Sequence, residues 1–439
     1  MSNMNFIHPS EFKESTRHSK IEQAALPKKA IFALSQHTGA PSDPVVNIGD
    51  AVKTGSLIAT SKGFISSNLH SSISGRVVAV EDSPHPIIGV FNAIVIESDG
   101  EDIKAFSEPG RDISNISKED IANIVKEAGI VGLGGAAFPT SVKLNPPAGK
   151  KIDTLIINGA ECEPFLTCDY RLMLEKPKEI ILGARLIAKA LGVKDVIIGI
   201  EDNKMDAVEA LGSALFMVKG EGCRVKIVKL KTRYPQGGEK QLIKTLLNRE
   251  VPSGGLPLDI GCVVNNVQTV FSVYEAVYFG KPLYERVITV SGSFLKKPKN
   301  LLARIGTPIK ELLESCGMDA RQDIYKIIMG GPMTGVAQYN LEAPVIKGTS
   351  GILVLGKGFA PSQELDCIRC SRCIEACPAG MMPCLLGVAA RKNRFDIAST
   401  YNPFDCIECG ACSYVCPSNI ELVQLIKLTK AKLKLHLLH

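Results

Sequence analysis

Between residues 44 and 97 the apolar positions come in short runs broken by glycine turns: Val45–Ile48, Gly49-Asp50, Ala51–Lys53, Gly55, Leu57–Thr60, then Ser74-Gly75-Arg76-Val77-Val78-Ala79-Val80. Strands and turns this closely spaced predict a small β-sandwich or barrel. From about residue 115 the period changes. Ser117, with Asp120 three residues on, predicts an N-capped helix running to Lys126. Asp153–Ile157 and Asp195–Ile200 are continuous apolar runs, the pattern of parallel strands covered on both faces. Helical patterns follow at Ile180–Leu191 and Lys204–Val218, and Arg224–Leu230 reads as a further strand. This β/α alternation predicts a wound sheet. Residues 285–355 return to β-rich patterning, with strands at Arg286–Val290 and Ile324–Met329 and one helix at Pro308–Cys316. The chain reads helical again around Leu385–Asn393. It ends in a basic amphipathic helix from Glu421 to His439, with Lys427, Lys430, Lys432 and Lys434 set around Leu422, Leu425, Ile426, Leu433 and Leu437.

A length of 439 residues suggests about three domains. With 45% apolar residues, large cores can be buried, which excludes bulk disorder. A net charge of +6, spread along the chain, is too weak to indicate nucleic acid as a partner. No run of about 18 apolar residues is present, so no transmembrane helix is expected. Residues 1–20 are polar, so no signal peptide is expected either. Fourteen cysteines without a secretion signal then point to a reducing compartment and to metal or redox chemistry.

Eight of those fourteen form two runs of one pattern, Cys367-x2-Cys370-x2-Cys373-x3-Cys377-Pro378 and Cys406-x2-Cys409-x2-Cys412-x3-Cys416-Pro417. This is the bacterial ferredoxin spacing for [4Fe–4S] clusters, in which the fourth cysteine of each run reaches the other cluster. Cys367, Cys370, Cys373 and Cys416 are therefore assigned to one cluster, and Cys406, Cys409, Cys412 and Cys377 to the second. The fourth cysteine is expected at the head of a helix. Zinc is the bland alternative, but it usually uses separated C-x2-C pairs and four ligands in total. The helical stretch between the runs favours an α-helical ferredoxin domain. Cys162, Cys168, Cys223, Cys262, Cys316 and Cys384 lack partners at ligand spacing and read as inert buried thiols.

Four glycines lie between residues 129 and 135, in Gly132-Leu-Gly134-Gly135-Ala-Ala-Phe138-Pro139-Thr140 and the residues just before it. Such a loop lets the backbone approach a ligand and aim N–H groups at phosphate. It is not the G-x-G-x-x-G fingerprint, because no strand precedes it. Its companions carry more weight. Asn158-Gly-Ala-Glu161-Cys-Glu163-Pro164 follows the strand ending at Ile157, at the sheet edge where ligands bind. Tyr234-Pro-Gln-Gly237-Gly238-Glu239-Lys240 opens a helix, whose N-terminus can hold an anion. Val264-Asn265-Asn266-Val267-Gln268-Thr269 supplies amides suited to a flavin's polar edge or its ribityl chain.

This set resembles the NADH- and FMN-binding subunit of respiratory complex I. The resemblance implies FMN and NAD(H) held by Gly132, Gly134, Gly135, Phe138, Thr140, Lys143, Asn158, Tyr234, Gly237, Glu239, Asn265, Asn266 and Thr269, with Glu161 and Glu163 beside the nicotinamide as catalytic residues. Leu133, Ala160 and Gly238 depart from that family's loop Arg, acidic Asp and first Glu.

The whole chain is similar to the RnfC family, a component of the ion-translocating Rnf complex, ferredoxin:NAD oxidoreductase. The match runs through Phe6-Ile-His-Pro9, Gln36-His-Thr-Gly-Ala-Pro41, the glycine loop, Tyr234–Gln241 and Cys367–Cys373. It implies a multidomain α/β and α+β chain: a barrel-sandwich hybrid of the biotinyl/lipoyl type over 1–110, a Rossmann-like FMN/NADH-binding domain over 111–285, an SLBB β-grasp domain over 286–356, and a two-cluster ferredoxin domain with its basic helix over 357–439. The biotinyl likeness leaves Lys62 as the sole candidate for modification; an unmodified structural domain is the plainer reading. The family places such a chain at the cytoplasmic face of the cell membrane, peripheral, beside integral-membrane and iron–sulfur subunits. Two rivals are a soluble cobalamin-reductase-like flavoprotein and a relay that has lost its flavin.

Overall fold

The computed structural model describes residues 5–436 apart from 107–109, 114, 219–221 and 320. At its centre is a parallel sheet of β1 (Thr154–Gly159), β2 (Asp195–Glu201), β3 (Arg224–Leu230) and β4 (Cys262–Asn266), in the order β3-β2-β1-β4. The unbroken apolar run of β1 has a direct cause. Leu155 and Ile157 pack into the large core with the 177–191 and 267–279 helices, while Ile156 points the other way, onto Leu242 and Ile243 of the 239–247 helix. Both faces are covered, so alternation disappears. The predicted helix at 117 forms with its full capping box, Ser117 and Asp120 each accepting the other's backbone N–H.

The N-terminal unit is built on a long hairpin, Gly75–His85 with Gly89–Ser98, joined by Lys29–Ala33. Val45–Ile48 is not a strand, contrary to expectation. The chain turns at Asn47–Asp50, where the Asp50 carboxylate accepts the Asn47 N–H (2.7 Å), and Val45 and Ile48 stay exposed. The β-rich unit after residue 285 is a six-stranded sheet. One of its strands, Ile21–Gln23, comes from the N-terminal stretch and pairs in parallel with Lys299–Arg304.

The iron–sulfur unit is helical: Arg372–Glu375, Pro383–Arg391, Phe395–Ser399, Ala411–Tyr414 and Leu422–His436. Cys377 and Cys416 come just after the one-turn helices 372–375 and 411–414 rather than heading a helix. The reason is spacing: the short helix spans x3 between the third and fourth cysteines, and proline follows to stop it. The terminal helix is also more embedded than its composition suggests. Leu422, Val423, Ile426 and Thr429 are buried, and Lys430 donates to the Cys406 carbonyl (2.7 Å) and to Glu408 (2.7 Å). Leu428 and Leu435 remain exposed, and Leu437 lies outside the described residues.

Lys347 ties three units together. The residue is 1% exposed, and its ammonium donates to the Ser67 hydroxyl (3.2 Å), the Asn68 carbonyl (2.6 Å) and the Gly129 carbonyl (2.7 Å). Burial pushes its pKa down to about 7. Between that value and the ordinary lysine range the unfolded chain binds more protons, so this group makes stability rise with pH, by up to about 1.4 kcal/mol per unit. Lys347→Met should destabilise the protein by about 2–3 kcal/mol at pH 7, because the acceptors lose their partner. Thermal melts should show the gap to wild type widening between about pH 7 and 9. A gap that narrows would mean the ammonium is not disfavoured by its site.

Candidate functional site

In an open parallel sheet the ligand crevice lies beyond the strands' C-terminal ends, where the strand order reverses. Here that point falls between β1 and β4. Asn158, one residue before the end of β1, pairs in register with Asn266 at the end of β4, and Asn265 pairs with Ile157.

The glycine loop lies against this point. Val131 bridges Pro139, and Gly132 N–H donates to the Phe138 carbonyl (2.8 Å), which pinches 132–138 closed. The loop is gripped from three units. Leu133 N–H donates to the Thr269 hydroxyl (2.9 Å), and its carbonyl accepts from the buried Arg286 of the β-grasp unit (3.0 Å). Thr38 of the barrel unit donates its N–H to the Ala137 carbonyl (3.2 Å) and its hydroxyl to the Ala136 carbonyl (2.7 Å). Those bonds hold Ala137 at φ +49°, a left-handed conformation that a residue with a Cβ resists. A Cβ on Gly134 would lie 3.2 Å from Asn266 Cβ, so glycine gives the loop backbone its close approach to the end of β4. Gly134, Gly135 and Ala136 are exposed, and nothing lies within 4 Å of where a Cβ on Gly135 would point. Leu133 is 2% exposed, a core residue, which explains why the departure from Arg is tolerated.

The other residues singled out fall into groups. Asn266 accepts the Gln268 N–H (2.8 Å), capping the 267–279 helix, and donates to Asp169 (2.6 Å), which also accepts from Gln268 Nε2 (2.8 Å). Asn158 donates to the Gly237 carbonyl (2.8 Å), and Gly237 N–H reaches Cys162 Sγ (3.2 Å). Lys143 pairs with Glu239 (3.0 Å) and donates to the Val264 carbonyl (2.9 Å). Tyr234 stands apart. It is buried, and its hydroxyl donates to the Cys409 carbonyl in the iron–sulfur unit (2.7 Å).

Both acidic candidates are engaged inside the protein. Glu161, at φ +47°, accepts the N–H groups of Asp169 (2.6 Å) and Tyr170 (3.1 Å) and so caps the 168–175 helix. Glu163 accepts from the Met333 N–H (3.1 Å) and the Thr334 hydroxyl (2.6 Å), and burial raises its pKa. Asp169 carries no sequence signal of its own, since an acid in a helix's first turn looks like an ordinary dipole partner. Its carboxyl is pushed up to about 6, first by burial and then by the charge of Glu161.

A flavin fits this setting. Asn265 is 3% exposed and its side-chain N–H group has no partner; the buried Thr140 hydroxyl has none either. Buried donors are rarely left unpaired, and a polar ligand at the strand ends would satisfy them. The cysteines fit clusters in the same way. Cys377 joins Cys406, Cys409 and Cys412 around a small apolar cavity of about 20 Å3, with Met381 and Ile426. Met381 N–H reaches the Cys377 sulfur (3.3 Å) and Glu408 N–H the Cys406 sulfur (3.3 Å). Cys373 and Cys416 share a second apolar cluster, while Cys367 and Cys370 are exposed.

Fold and site thus define a redox protein with a flavin domain and a two-cluster iron–sulfur domain. Residues 4–101 match the RnfC barrel sandwich hybrid domain, 125–275 the Nuo51 FMN-binding domain, 287–337 the SLBB domain and 366–420 the 4Fe-4S dicluster domain. The RnfC protein of the proton-translocating ferredoxin:NAD(+) oxidoreductase complex of Clostridium ljungdahlii is 48% identical, over 97% of this chain and 93% of that one. Its counterpart in the Na(+)-translocating complex of Acetobacterium woodii is 42% identical over 90% and 89%. The counterpart in the ion-translocating oxidoreductase complex of Rhodobacter capsulatus is 43% identical over 97% and 82%. The chain belongs to this RnfC family. An NAD+-reducing [NiFe]-hydrogenase in its air-oxidised state shares the fold, with a TM-score of 0.51 at 20% identity over 72% of this chain and 61% of the hydrogenase chain.

Asn265→Ala should weaken FMN binding about tenfold, the worth of one hydrogen bond of roughly 1–1.5 kcal/mol. Flavin titration of the apoprotein measures this, and unchanged affinity would remove Asn265 from the site. Iron and acid-labile sulfide should each approach about eight per chain, and Cys370→Ser should halve both while sparing flavin.

Proposed function

We propose that this chain is the peripheral NADH/FMN/iron–sulfur subunit of a membrane-bound complex that couples electron transfer between ferredoxin and NAD to translocation of Na+ or H+. Its relatives are named for that activity. Bound FMN would exchange hydride with NAD(H) and pass electrons singly. The protein's part is to bind, orient and connect. Gly132, Gly134 and Gly135 offer backbone to the nucleotide; Asn265, Asn266 and Thr269 set the floor; Glu161 acts through the helix it caps, which carries Asp169 and so Asn266.

One observation carries the electron path. The Tyr234–Gly237 segment touches both centres, with Gly237 held by Asn158 at the switch point and Tyr234 bonded to Cys409. The cluster of Cys377, Cys406, Cys409 and Cys412 is therefore the inner one. The cluster of Cys367, Cys370, Cys373 and Cys416 is the outer one, its exposed edge facing the next carrier. No described helix is long and apolar enough to cross a membrane. Attachment at the cytoplasmic face would then run through integral-membrane and iron–sulfur partner subunits.

Anaerobic stopped-flow with NADH tests the order. Cys406→Ser should allow the flavin absorbance to bleach but block reduction of the outer cluster. Cys370→Ser should leave the inner cluster reducible at the wild-type rate. The opposite pattern would reverse the order. Protein that yields no flavin on acid extraction, or no NADH oxidation, would leave only an electron relay.

A further inference from the structure

In the β-grasp unit the strands Ile324–Met329 and Val336–Gln338 pair antiparallel, with Met329 opposite Val336. The loop joining them, residues 330–335, reads Gly-Gly-Pro-Met-Thr-Gly. Its tip leaves its own unit and meets the acidic segment that follows β1. The Thr334 hydroxyl donates to one oxygen of the Glu163 carboxylate (2.6 Å), and the Met333 N–H donates to the other (3.1 Å). The loop is shaped to this group. A Cβ on Gly331 would lie 2.3 Å from Glu163 Oε2, and Gly335 N–H closes the loop on the Gly331 carbonyl (2.8 Å). Gly330, at φ +103°, turns the chain out of its strand as only glycine readily does.

Glu163 is half-buried and Thr334 exposed, so their bond lies at the solvent edge of the strand ends. Tyr234 brings its hydroxyl to 3.4 Å from Glu163, but that hydroxyl has its closer acceptor in the Cys409 carbonyl (2.7 Å). Lys13, a cation that faces the carboxylate, directs its ammonium at the Glu161 and Leu166 carbonyls (2.7 Å each). Burial disfavours the Glu163 anion, and the Thr334 and Met333 donors work against that cost. An ionised carboxylate only accepts, so the Thr334 hydroxyl is the donor. The charge is thus held by neutral groups and stays available to a cationic ligand. Nicotinamide is neutral when reduced and cationic once it has given up hydride. A carboxylate beside the ring therefore favours the oxidised form, and the positive charge that grows as hydride leaves.

We propose that Thr334 is a positioning residue for the NAD(H) site: with the Met333 N–H it holds the Glu163 carboxylate as an anion at the edge of the crevice, where it favours the cationic nicotinamide ring. The β-grasp unit, through its 330–335 loop, is then part of that site and not only a clamp on the glycine loop. The inference rests on the reading that Glu163 lies beside the nicotinamide.

The test uses the full chain with flavin and clusters in place: wild type, Thr334→Val and Thr334→Ser. Calorimetry measures binding of NAD+ and of tetrahydro-NAD, whose ring is neutral and gives up no hydride. Thr334→Val should weaken NAD+ about tenfold, the order set by one hydrogen bond to a charged group, and leave tetrahydro-NAD nearly unchanged. Thr334→Ser, which keeps the donor, should bind both as wild type does. Flavin content should be the same in all three proteins. Glu163→Gln should also weaken NAD+ selectively, and Thr334→Val added to it should have no further effect. Unchanged affinities in Thr334→Val, equal weakening of both ligands, or a further loss in the double variant would overturn the proposal. Unchanged NAD+ affinity in Glu163→Gln would overturn it too, by removing Glu163 from the nicotinamide, and would leave the proposed function standing if wild type still oxidises NADH. Wild-type protein that binds neither ligand would refute the proposed function itself.

Discussion

Two buried cations without a directly bonded carboxylate hold this molecule together. Lys347 directs its ammonium at the Ser67 hydroxyl and two carbonyls, Asn68 and Gly129. Arg286 donates to the carbonyls of Leu133 and of Lys347 itself. Lys347 N–H in turn is taken by Gln36 of the barrel unit (3.1 Å). A buried charge is costly unless its donors find acceptors, so these contacts tolerate little displacement. Their acceptors lie at both ends of the same stretch, Gly129 and Leu133. The β-grasp unit thereby clamps the root of the glycine loop onto the barrel unit, and the loop keeps its shape through neighbours rather than through its own residues.

The acidic pair is also held by its neighbours, through separate contacts. Glu161 and Glu163 stand where a nicotinamide-facing pair was expected, yet each carboxylate is absorbed by its own surroundings. Glu161 satisfies the free N–H groups of a helix start, which favours an anion there. Glu163 locks the end of β1 to residues 331–334, close enough that a Cβ on Gly331 would lie 2.3 Å from it. The site is thus assembled by several segments, each fixed by a different unit.

The iron–sulfur unit is joined to this assembly through Tyr234. Ile7, Tyr234, Ala376, Cys409 and Ala411 form one apolar cluster that draws on the N-terminal stretch, the β3 to 239–247 connection and both cysteine runs. Gly410, at φ +76°, lies against the Met333 carbonyl, where a Cβ would come within 2.7 Å. Glycine there lets the loop of the second cysteine run approach the β-grasp unit closely. The terminal helix, basic and amphipathic in sequence, mainly completes this unit, with Lys430 fastened to the loop of the second cysteine run.

Local pattern was enough for most elements. The β/α alternation, the capping box at Ser117, the strand at Ile324–Met329 and both cysteine runs depend on short-range spacing, and such spacing survives in the sequence. The glycine loop and the Asn265-Asn266 pair were also visible as motifs, and the fold brings both together at the end of β4. What only the tertiary structure decided is which atoms remain free. Asn266, Thr269 and Asn158 turned inward to hold loops, and Asn265 kept an unpaired donor. Asp169 meets Asn266 from a segment with no motif of its own, and Thr38 reaches the glycine loop from a segment about a hundred residues away along the chain. Hydrogen-bond partners that are far apart along the chain leave no periodic trace, so only the folded chain could reveal them.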